Sequence, residues 1–336
     1  MNKWYIEKGD QGDVVLSTRV RLARNLDEFP FPAKLDPKGR NAVNKIVKDA
    51  LTADGADTFK CIDMKELTQT QAVSFAERHL ISPEFTQSRE GRTLIITEDE
   101  SVSIMLCEED HIRLQVMKSG LSLHEAYDIA NKIDNILDGK LRYAFDERIG
   151  YLTQCPTNLG TAMRASVMLH LPALTKTGKL SGLAATVSKL GLTIRGAYGE
   201  GTAARGAIYQ LSNQITLGIT EQAALDNLNA ITLQIVAQER AAQRELLNNP
   251  AEEDQVYRAM GILNSARMMD ADEFMGLISL VRMGAARGLF NVTIERINEL
   301  IVNMQPATLM EMSGRNLEAA QRDAERAKIL REILVS

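Results

Sequence analysis

The stretch Leu94-Ile95-Ile96-Thr97-Glu98-Asp99-Glu100-Ser101-Val102-Ser103-Ile104-Met105-Leu106 decides the fold class. It holds two short apolar runs of the kind that form strands, separated only by the acidic Glu98-Asp99-Glu100. A connection of hairpin length joins antiparallel strands, because parallel strands need a crossover of a dozen residues or more. The stretch therefore predicts antiparallel pairing rather than a β-α-β unit.

Similar strand-like groups, such as Ile112 to Val116, recur between Val14 and about Leu217, with helical stretches between them. The periodicity predicts helices over 37–53, 68–77 and 122–137, the last opened by a capping box of Ser122 and Glu125. A long amphipathic helix is predicted over about 220–248. Together these segments indicate an α+β fold, an antiparallel β-sheet flanked by helices.

The chain changes character at Asn248-Asn249-Pro250, because proline cannot continue a helix and the residue before it is biased out of helical conformation. Beyond this break, residues 254–333 have helical spacing almost throughout, with helix starts predicted at Asp270, Thr293 and Asn316. We therefore predict two domains, one over 1–249 that contains the sheet and a small all-helical one over 250–336.

The composition is that of a globular protein, with 336 residues, 45% hydrophobic, 25% charged and a net charge of −5. This negative charge argues against general affinity for nucleic acid or for an anionic membrane surface. The three cysteines are too few and too scattered for a disulfide framework, and none belongs to a CxxC pair. The sequence has neither an apolar signal segment nor a run long enough to span a membrane, so we expect a cytoplasmic protein.

Arginines and acidic residues form two candidate sites. Arg19 and Arg21 alternate with apolar residues on a predicted strand, which puts both guanidinium groups on one face, where they could bind a polyphosphate. A solvated strand face is the alternative. The cluster Glu108-Glu109-Asp110, followed by Arg113, needs a cationic partner, a metal or a charged substrate, unless it is an exposed acidic turn.

Two further segments combine reactive residues with turn or loop residues. Cys155-Pro156-Thr157-Asn158-Leu159-Gly160-Thr161 precedes Arg164, and a thiol near arginines can become a thiolate, although a buried small hydrophobe is the alternative. Arg195-Gly196-Ala197-Tyr198-Gly199-Glu200-Gly201-Thr202 is a glycine-rich loop around one glutamate that could close over a ligand. It matches neither the dinucleotide fingerprint nor the P-loop.

In their order along the chain these four motifs closely resemble those of the phosphagen (guanidino) kinases, a family that includes arginine kinase and creatine kinase. The resemblance implies an ATP-dependent enzyme that phosphorylates a guanidinium group. It further implies that five arginines surround the ATP phosphates together with Mg²⁺: Arg19, Arg21, Arg113, Arg164 and Arg195. His79 resembles the residue that borders the adenine in this family, with a packed histidine at a helix end as the alternative.

The same resemblance implies roles around the acceptor guanidinium. Glu109 corresponds to the principal catalytic carboxylate, Glu200 to a second carboxylate on the closing loop, and Cys155 to a thiolate beside the guanidinium. Asp110 is expected to help hold Mg²⁺ through water, with no direct protein ligand to the metal. The chain departs from the family at Cys107, where asparagine is usual, so we expect altered support for Glu109.

The position of the first arginine motif favours a protein substrate. Kinases of this family that act on free amino acids carry a helical domain of roughly a hundred residues before it, whereas here the motif begins at Ser17. The arrangement is similar to the bacterial branch of the family that phosphorylates arginine side chains in proteins. That similarity extends to Arg322, Asp323 and Arg326, which it implies form a phosphoarginine-binding pocket. A salt-bridged helix surface is the alternative.

The resemblance also implies protein substrates that present arginine and are marked for degradation by a Clp unfoldase and protease during stress. An McsA-like activator and self-association into a homo-oligomer are further implied partners. Two alternatives remain open at this point. One is a catalytically weak adaptor that binds ATP and phosphoarginine proteins, and the other is a kinase for free arginine.

Overall fold

The computed structural model describes residues 3–52, 59–197 and 204–334, and its centre is an eight-stranded antiparallel sheet. The strand order is β2-β3-β4-β5-β1-β8-β10-β9. The strands are β1 (Val15–Arg24), β2 (Phe59–Asp63), β3 (Thr93–Thr97), β4 (Val102–Leu106), β5 (Ile112–Ser119), β8 (Met163–His170), β9 (Leu192–Gly196) and β10 (Ile208–Asn213). A separate hairpin is formed by β6 (Phe145–Asp146) and β7 (Gly150–Tyr151). The predicted antiparallel pairing of β3 with β4 is confirmed.

Strand β1 lies in the middle of the sheet, and its successive side chains point to opposite faces. Val20 and Leu22 are fully buried on one face, while Arg19 and Arg21 alternate with them and point to the other. Antiparallel pairing on both sides sets Arg21 opposite Gln115 of β5 and Arg164 of β8. The predicted strand over the arginine motif is therefore present, with the two arginines on one face.

Three helices cover the apolar face of the sheet. They are α1 (Pro37–Thr52), α3 (Leu123–Asp138) and α6 (Glu221–Leu247), and with the shorter α4 (Pro172–Lys176) and α5 (Leu180–Lys189) they complete this layer. Val47, Ala130 and Leu228 are fully buried in one cluster with Val20 and Leu22. Burial of this shared apolar surface is the main force that holds the helices against the sheet.

Helix α2 (Gln69–Glu77) begins as expected, whereas the predicted cap of α3 is wrong. Thr68 and Gln71 form a reciprocal capping box at the start of α2. At α3 the N-cap residue is Ser122, but its hydroxyl donates to the Ser119 carbonyl oxygen at 3.3 Å and accepts nothing from the helix. The hydroxyl that the sequence pattern assigned to capping α3 is thus hydrogen-bonded to the backbone at the end of β5 instead.

The C-terminal part of the chain is helical. Its helices are α7 (Pro250–Ser265), α8 (Ala271–Ala286), α9 (Ile294–Asn303), α10 (Pro306–Ser313) and α11 (Ala319–Leu334). The break before Pro250 is present, and Asp270 and Thr293 cap α8 and α9 as predicted. The last helix starts at Ala319, later than the predicted Asn316. The division into two domains at this break stays a prediction.

The C-terminal helices pack directly against the sheet. Leu16 of β1 and Ile208 of β10 belong to the same buried cluster as Phe274 and Ile278 of α8. Within the described ranges, no helix is long and apolar enough to cross a membrane.

Candidate active site

A cavity of about 300 Å³ lies on the polar face of the sheet. All six residues predicted to bind ATP line it: Arg19, Arg21, His79, Arg113, Arg164 and Arg195. We call it the arginine cavity. Its five arginines come from four strands that are far apart in sequence: β5, β1 and β8 are neighbours in the sheet, and β9 is separated from β8 by β10. Each arginine is half-buried, so its stem is packed while its head faces the cavity.

The charges in the arginine cavity repel one another. Burial, and then the neighbouring Arg113 and Arg164, lowers the pKa of Arg19 to about 10. Burial, followed by Arg19 and the other arginines, lowers the pKa of Arg21 further. The Nε atoms of Arg21 and Arg164 are buried without a hydrogen-bond partner among the described residues. Such a cluster becomes favourable only when a polyanion enters it.

Arg19 is oriented by two residues that the sequence analysis missed. Its Nη2 donates to Gln210 Oε1 at 2.5 Å, and its Nε donates to Ser166 Oγ at 3.4 Å. Ser166 lies opposite Arg19 on β8, and Gln210 lies on β10 opposite Arg195. Only the strand register, which the sequence does not contain, could have revealed these partners.

The acidic cluster divides into carboxylates with different environments. Arg113 donates to Glu108, which also accepts from Ser82 Oγ at 2.6 Å and from the Glu109 backbone N at 3.0 Å. Burial would raise the pKa of Glu108, but Arg113 and these hydrogen bonds outweigh it and hold the pKa below its usual value. Glu108 is thus the protein's own partner for one cavity arginine, a role the sequence analysis did not assign.

Glu109 is half-buried, and burial followed by the charge of Asp110 raises its pKa. Arg113 and Arg21 act in the opposite direction, so this carboxylate lies within electrostatic range of the arginine cavity without lining it. A raised pKa makes Glu109 a stronger base than an exposed glutamate. Glu200, the predicted second carboxylate, lies outside the described residues.

Asp110 is buried and connects the acidic turn to the segment that carries Cys155. Its Oδ1 accepts from Asn25 Nδ2 at 2.6 Å and from the Gln154 backbone N at 2.9 Å. Burial raises the pKa of Asp110 despite these hydrogen bonds. Cys155, which follows Gln154 in the chain, is near enough to Arg164 to influence the pKa of that arginine. Two of the predicted catalytic residues, Glu109 and Cys155, therefore lie on segments that Asp110 joins.

Two family models match this chain. The model described as the C-terminal catalytic domain of ATP:guanido phosphotransferases matches residues 42–242, and that of the protein-arginine kinase McsB C-terminal domain matches residues 250–336. This chain belongs to the ATP:guanido phosphotransferase family. Its membership confirms the predicted α+β class and implies the use of ATP.

Several relatives are similar along almost their whole length. A protein-arginine kinase of Clostridium acetobutylicum is 42% identical over 340 residues, covering 99% of this chain and 100% of that protein. One of Caldanaerobacter subterraneus subsp. tengcongensis is 43% identical over 321 residues, covering 94% of this chain and 95% of that protein.

Solved structures share the fold of this ATP:guanido phosphotransferase. A duplicated taurocyamine kinase from Schistosoma mansoni, with bound transition state analog components, superposes with a TM-score of 0.61 at 28% identity. That match covers 68% of this chain and only 33% of the duplicated kinase. A lombricine kinase has a TM-score of 0.61 at 25% identity, covering 70% of this chain and 68% of that protein.

Cys107, which the sequence analysis expected to depart from the family, has an unusual backbone. Its φ is 59°, in the left-handed region, which asparagine tolerates better than most side chains. The Cys107 thiol is fully buried and lies 3.6 Å from Asn44 Oδ1. Burial raises its pKa to about 12, so the thiol stays neutral. Cys107 therefore packs beneath the turn that carries Glu109 and adds no charge to it.

His79 is both a residue at a helix end and a cavity residue. It follows the end of α2 with φ of 63°, and its carbonyl oxygen accepts from Gln115 Nε2 at 2.7 Å. Burial and the charge of Arg19 lower its pKa to about 4, which keeps the imidazole neutral. A neutral, flat ring at the rim of the arginine cavity is compatible with contact to a nucleotide base.

The three residues of the predicted phosphoarginine pocket differ in accessibility. Arg326 is only 1% exposed and donates to the carbonyl oxygens of Met304 at 2.9 Å and Met269 at 2.7 Å. It also donates to Asp323 Oδ1 at 3.0 Å. Arg322 is half-buried and donates to the Leu317 carbonyl oxygen at 2.9 Å. The structure thus gives Arg326 a structural use, and the ligand-binding role of the three residues stays a prediction.

Proposed function

We propose that this protein transfers the γ-phosphoryl group of ATP to the guanidinium of arginine side chains in other proteins. The observation that carries the proposal is the arginine cavity, where Arg21 and Arg164 each have a buried Nε atom without a hydrogen-bond partner among the described residues. A nucleotide triphosphate supplies the missing negative charge. The protein-arginine kinases that share 42–43% identity over nearly the whole chain support the choice of acceptor.

The proposed reaction uses the arginines of the cavity together with residues beside it. A guanidinium nitrogen of the acceptor attacks the γ-phosphorus, the bond to the ADP oxygen breaks, and the proton of that nitrogen passes to a carboxylate. Glu109, with its raised pKa, is the proposed acceptor of this proton. The five arginines stabilise the charge that develops on the transferred group and on ADP. Cys155 and Glu200 are proposed to orient the guanidinium.

Mg²⁺ is the proposed metal. Among the described residues, no group of three or more metal-ligating side chains is arranged to hold an ion. In many kinases Mg²⁺ is bound mainly by phosphate oxygens and water, and the same is proposed here. Asp110 is the proposed contact through water, although two donors already occupy its Oδ1 atom. When bound, Mg²⁺ supplies charge neutralisation for the phosphates.

The test is a phosphotransfer assay with Mg-ATP and an unstructured protein, read by phosphorus NMR for an acid-labile phosphoramidate. The wild type should form phosphoarginine, and Glu109→Gln should lower kcat by about 10²- to 10⁴-fold, because the proton acceptor is lost. Glu66→Gln, at an exposed glutamate far from the site, is the matched control and should keep full activity. Turnover of free arginine without labelling of protein would instead support the small-substrate alternative.

We further propose the cellular setting that the family resemblance implies. In it the protein is cytoplasmic and self-associates, an McsA-like activator stimulates it, and its products are passed to a Clp unfoldase and protease during stress. The weak-adaptor alternative predicts phosphoarginine binding without transfer. Measurable transfer by the wild type that disappears in Glu109→Gln excludes that alternative.

A further inference from the structure

Exposed apolar side chains are concentrated around the turn that follows Cys155. The segment 156–161, which contains the turn Pro156–Asn158, is hydrogen-bonded to two other segments through Gly160 and Thr157, and each of these two segments exposes two large hydrophobic residues. Their exposed fractions are 55% for Phe145, 39% for Ile149, 51% for Ile215 and 53% for Leu217. We call these four residues the apolar rim. Large apolar groups that cluster on a surface usually mark a binding site.

The first pair lies on the hairpin formed by β6 and β7. Phe145 packs edge-on against Tyr151 with ring centres 5.2 Å apart, and Ile149 lies in the connection between the two strands. The backbone N of Tyr151 donates to the Gly160 carbonyl oxygen at 2.9 Å. This hydrogen bond places the hairpin directly beside the segment that begins with Cys155.

The second pair flanks Thr216. The Thr216 hydroxyl lies 2.7 Å from the Leu159 carbonyl oxygen and 3.0 Å from the Thr157 carbonyl oxygen, and it can donate to either. The backbone N of Thr161 also donates to the Thr216 carbonyl oxygen at 3.0 Å. Ile215 and Leu217, on either side of Thr216, are therefore held next to the same turn.

Close backbone contact fixes the geometry of the apolar rim. Gly160 has a φ of 102°, and a Cβ atom there would lie 2.2 Å from the Thr216 carbonyl oxygen. Gly150 has a φ of 79°, and a Cβ atom there would lie 2.4 Å from the Gly160 carbonyl oxygen. Only glycine permits three segments to approach so closely. The apolar rim is thus a preorganised surface, which lowers the entropic penalty of binding.

We propose, resting on the proposed function, that the apolar rim binds apolar side chains that flank the acceptor arginine in an extended segment of the substrate protein. The rim is continuous with the acceptor end of the cleft, because Cys155 begins the turn to which both pairs are attached. An extended chain advances about 3.3 Å per residue, so neighbours of a bound arginine must pass over these segments. The enzyme therefore selects arginines in non-native segments, where apolar neighbours are exposed.

The charge of the segments around the turn supports this occupant. Residues 156–161 and 214–220 contain no charged side chain, whereas the hairpin carries two acidic residues and one basic residue, Asp146, Glu147 and Arg148. An arginine with apolar neighbours matches a surface that is neutral around Thr216 and slightly acidic at the hairpin. A strongly charged peptide would gain nothing from the apolar rim.

The experiment compares two peptides that contain one arginine, flanked on both sides either by leucines or by serines. The wild type should prefer the leucine peptide by about 100-fold in kcat/KM, mostly through KM, since each buried apolar side chain contributes about tenfold. In the double variant Ile215→Ser/Leu217→Ser this preference should fall by a factor of about ten, while kcat/KM for the serine peptide stays unchanged. Phe145→Ser/Ile149→Ser should behave similarly.

The matched control is Ile262→Ser/Met312→Ser, which changes two exposed hydrophobic residues in the C-terminal helices and should keep the preference. An unchanged preference in both rim variants, or none in the wild type, overturns the proposal. So does a change of oligomeric state in the rim variants with unchanged peptide kinetics, which would make the rim a surface for a second copy.

Binding of labelled peptides, measured by fluorescence anisotropy, separates this proposal from the kinase proposal. If no peptide is phosphorylated but the leucine peptide binds through the apolar rim, the docking surface is supported and the kinase proposal fails. If phosphorylation occurs and neither binding nor turnover responds to the rim variants, the kinase proposal is supported and the docking surface fails.

Discussion

Two regions of the molecule bury arginines, and they do so in opposite ways. In the arginine cavity, Arg21 and Arg164 each leave a buried Nε without a partner among the described residues. In the C-terminal helices, Arg282 is fully buried and donates to Gly12 O at 2.6 Å, Asp13 O at 2.8 Å and Asn298 Oδ1 at 3.0 Å. The difference is whether the protein itself supplies the acceptors.

This difference distinguishes an arginine that binds a ligand from one that holds the fold together. A buried guanidinium with all donors satisfied stabilises the packing around it, because removing it leaves carbonyl oxygens without partners. A buried guanidinium with unused donors, surrounded by other cations, lowers stability until an anion arrives. Arg282 connects the C-terminal helices to the segment before β1, whereas the cavity arginines are proposed to bind the nucleotide.

The largest effect that tests this comparison should come from Arg21→Met. We expect kcat/KM for ATP to fall by about 10³-fold or more, because a cation that stabilises the transferred phosphoryl group is lost. The free energy of unfolding should stay the same or increase, since the change removes a buried charge that burial and the neighbouring arginines disfavour. Steady-state kinetics and urea unfolding measure the two quantities.

Arg148→Met is the control, because Arg148 is exposed on the hairpin between β6 and β7. It should change neither the kinetics toward ATP nor the free energy of unfolding. An Arg21→Met protein that unfolds much more easily but keeps its activity would show that Arg21 is a structural arginine like Arg282.

Much of this distinction could not be read from the sequence. The alternation of Arg19 and Arg21 predicted their common face, because the period of a strand is fixed by its backbone geometry. By contrast, Arg322 and Arg326 are one helical turn apart, and the sequence analysis predicted the same ligand-binding role for both. Packing of α11 against the residues around Met269 and Met304 buries only Arg326.

The same limit explains the other residues that were misjudged or missed. Ser122 has the sequence of a helix cap, but its backbone N donates to Thr18 Oγ1 of the distant strand β1 at 3.0 Å, and its hydroxyl donates to the Ser119 carbonyl oxygen. Gln210 and Asn25 are ordinary polar residues until strand register and turn geometry bring them to Arg19 and Asp110. Local patterns predicted the elements and the motifs, while the partners depend on contacts between distant segments.

A smaller effect is expected from Arg282→Met, which tests the C-terminal side of the comparison. The free energy of unfolding should fall by about 3 kcal/mol or more, because the change leaves several buried acceptors unsatisfied. In protein that remains folded, kcat should stay close to the wild-type value, since Arg282 does not line the arginine cavity. Urea unfolding followed by circular dichroism measures the first quantity, and the phosphotransfer assay measures the second.

Arg258→Met serves as its control, because Arg258 is exposed and pairs with Asp254 of the same helix. That variant should leave the free energy of unfolding unchanged. Loss of activity in Arg282→Met with unchanged stability would reverse the comparison and make Arg282 part of the functional machinery.

The smallest expected effect concerns His170, the fourth acceptor of Arg282. His170 is fully buried, its Nδ1 accepts from Arg282 at 3.2 Å, and its Nε2 donates to Ser279 Oγ at 2.8 Å. Burial and the charge of Arg282 lower the pKa of His170 well below 6.5. In the unfolded chain the same histidine takes up a proton near pH 6.5, so stability is lost as the pH falls below that value.

The contribution should be about 1.4 kcal/mol for each pH unit below 6.5. Urea unfolding at several pH values between 7.5 and 5.5 measures it, and His170→Gln should give a correspondingly flatter pH dependence. His124→Gln, which removes an exposed histidine, should leave the slope as in the wild type. If the free energy of unfolding of His170→Gln depends on pH as steeply as that of the wild type, the pH dependence arises from another group. The hydrogen bonds around Arg282 would then not hold His170 neutral.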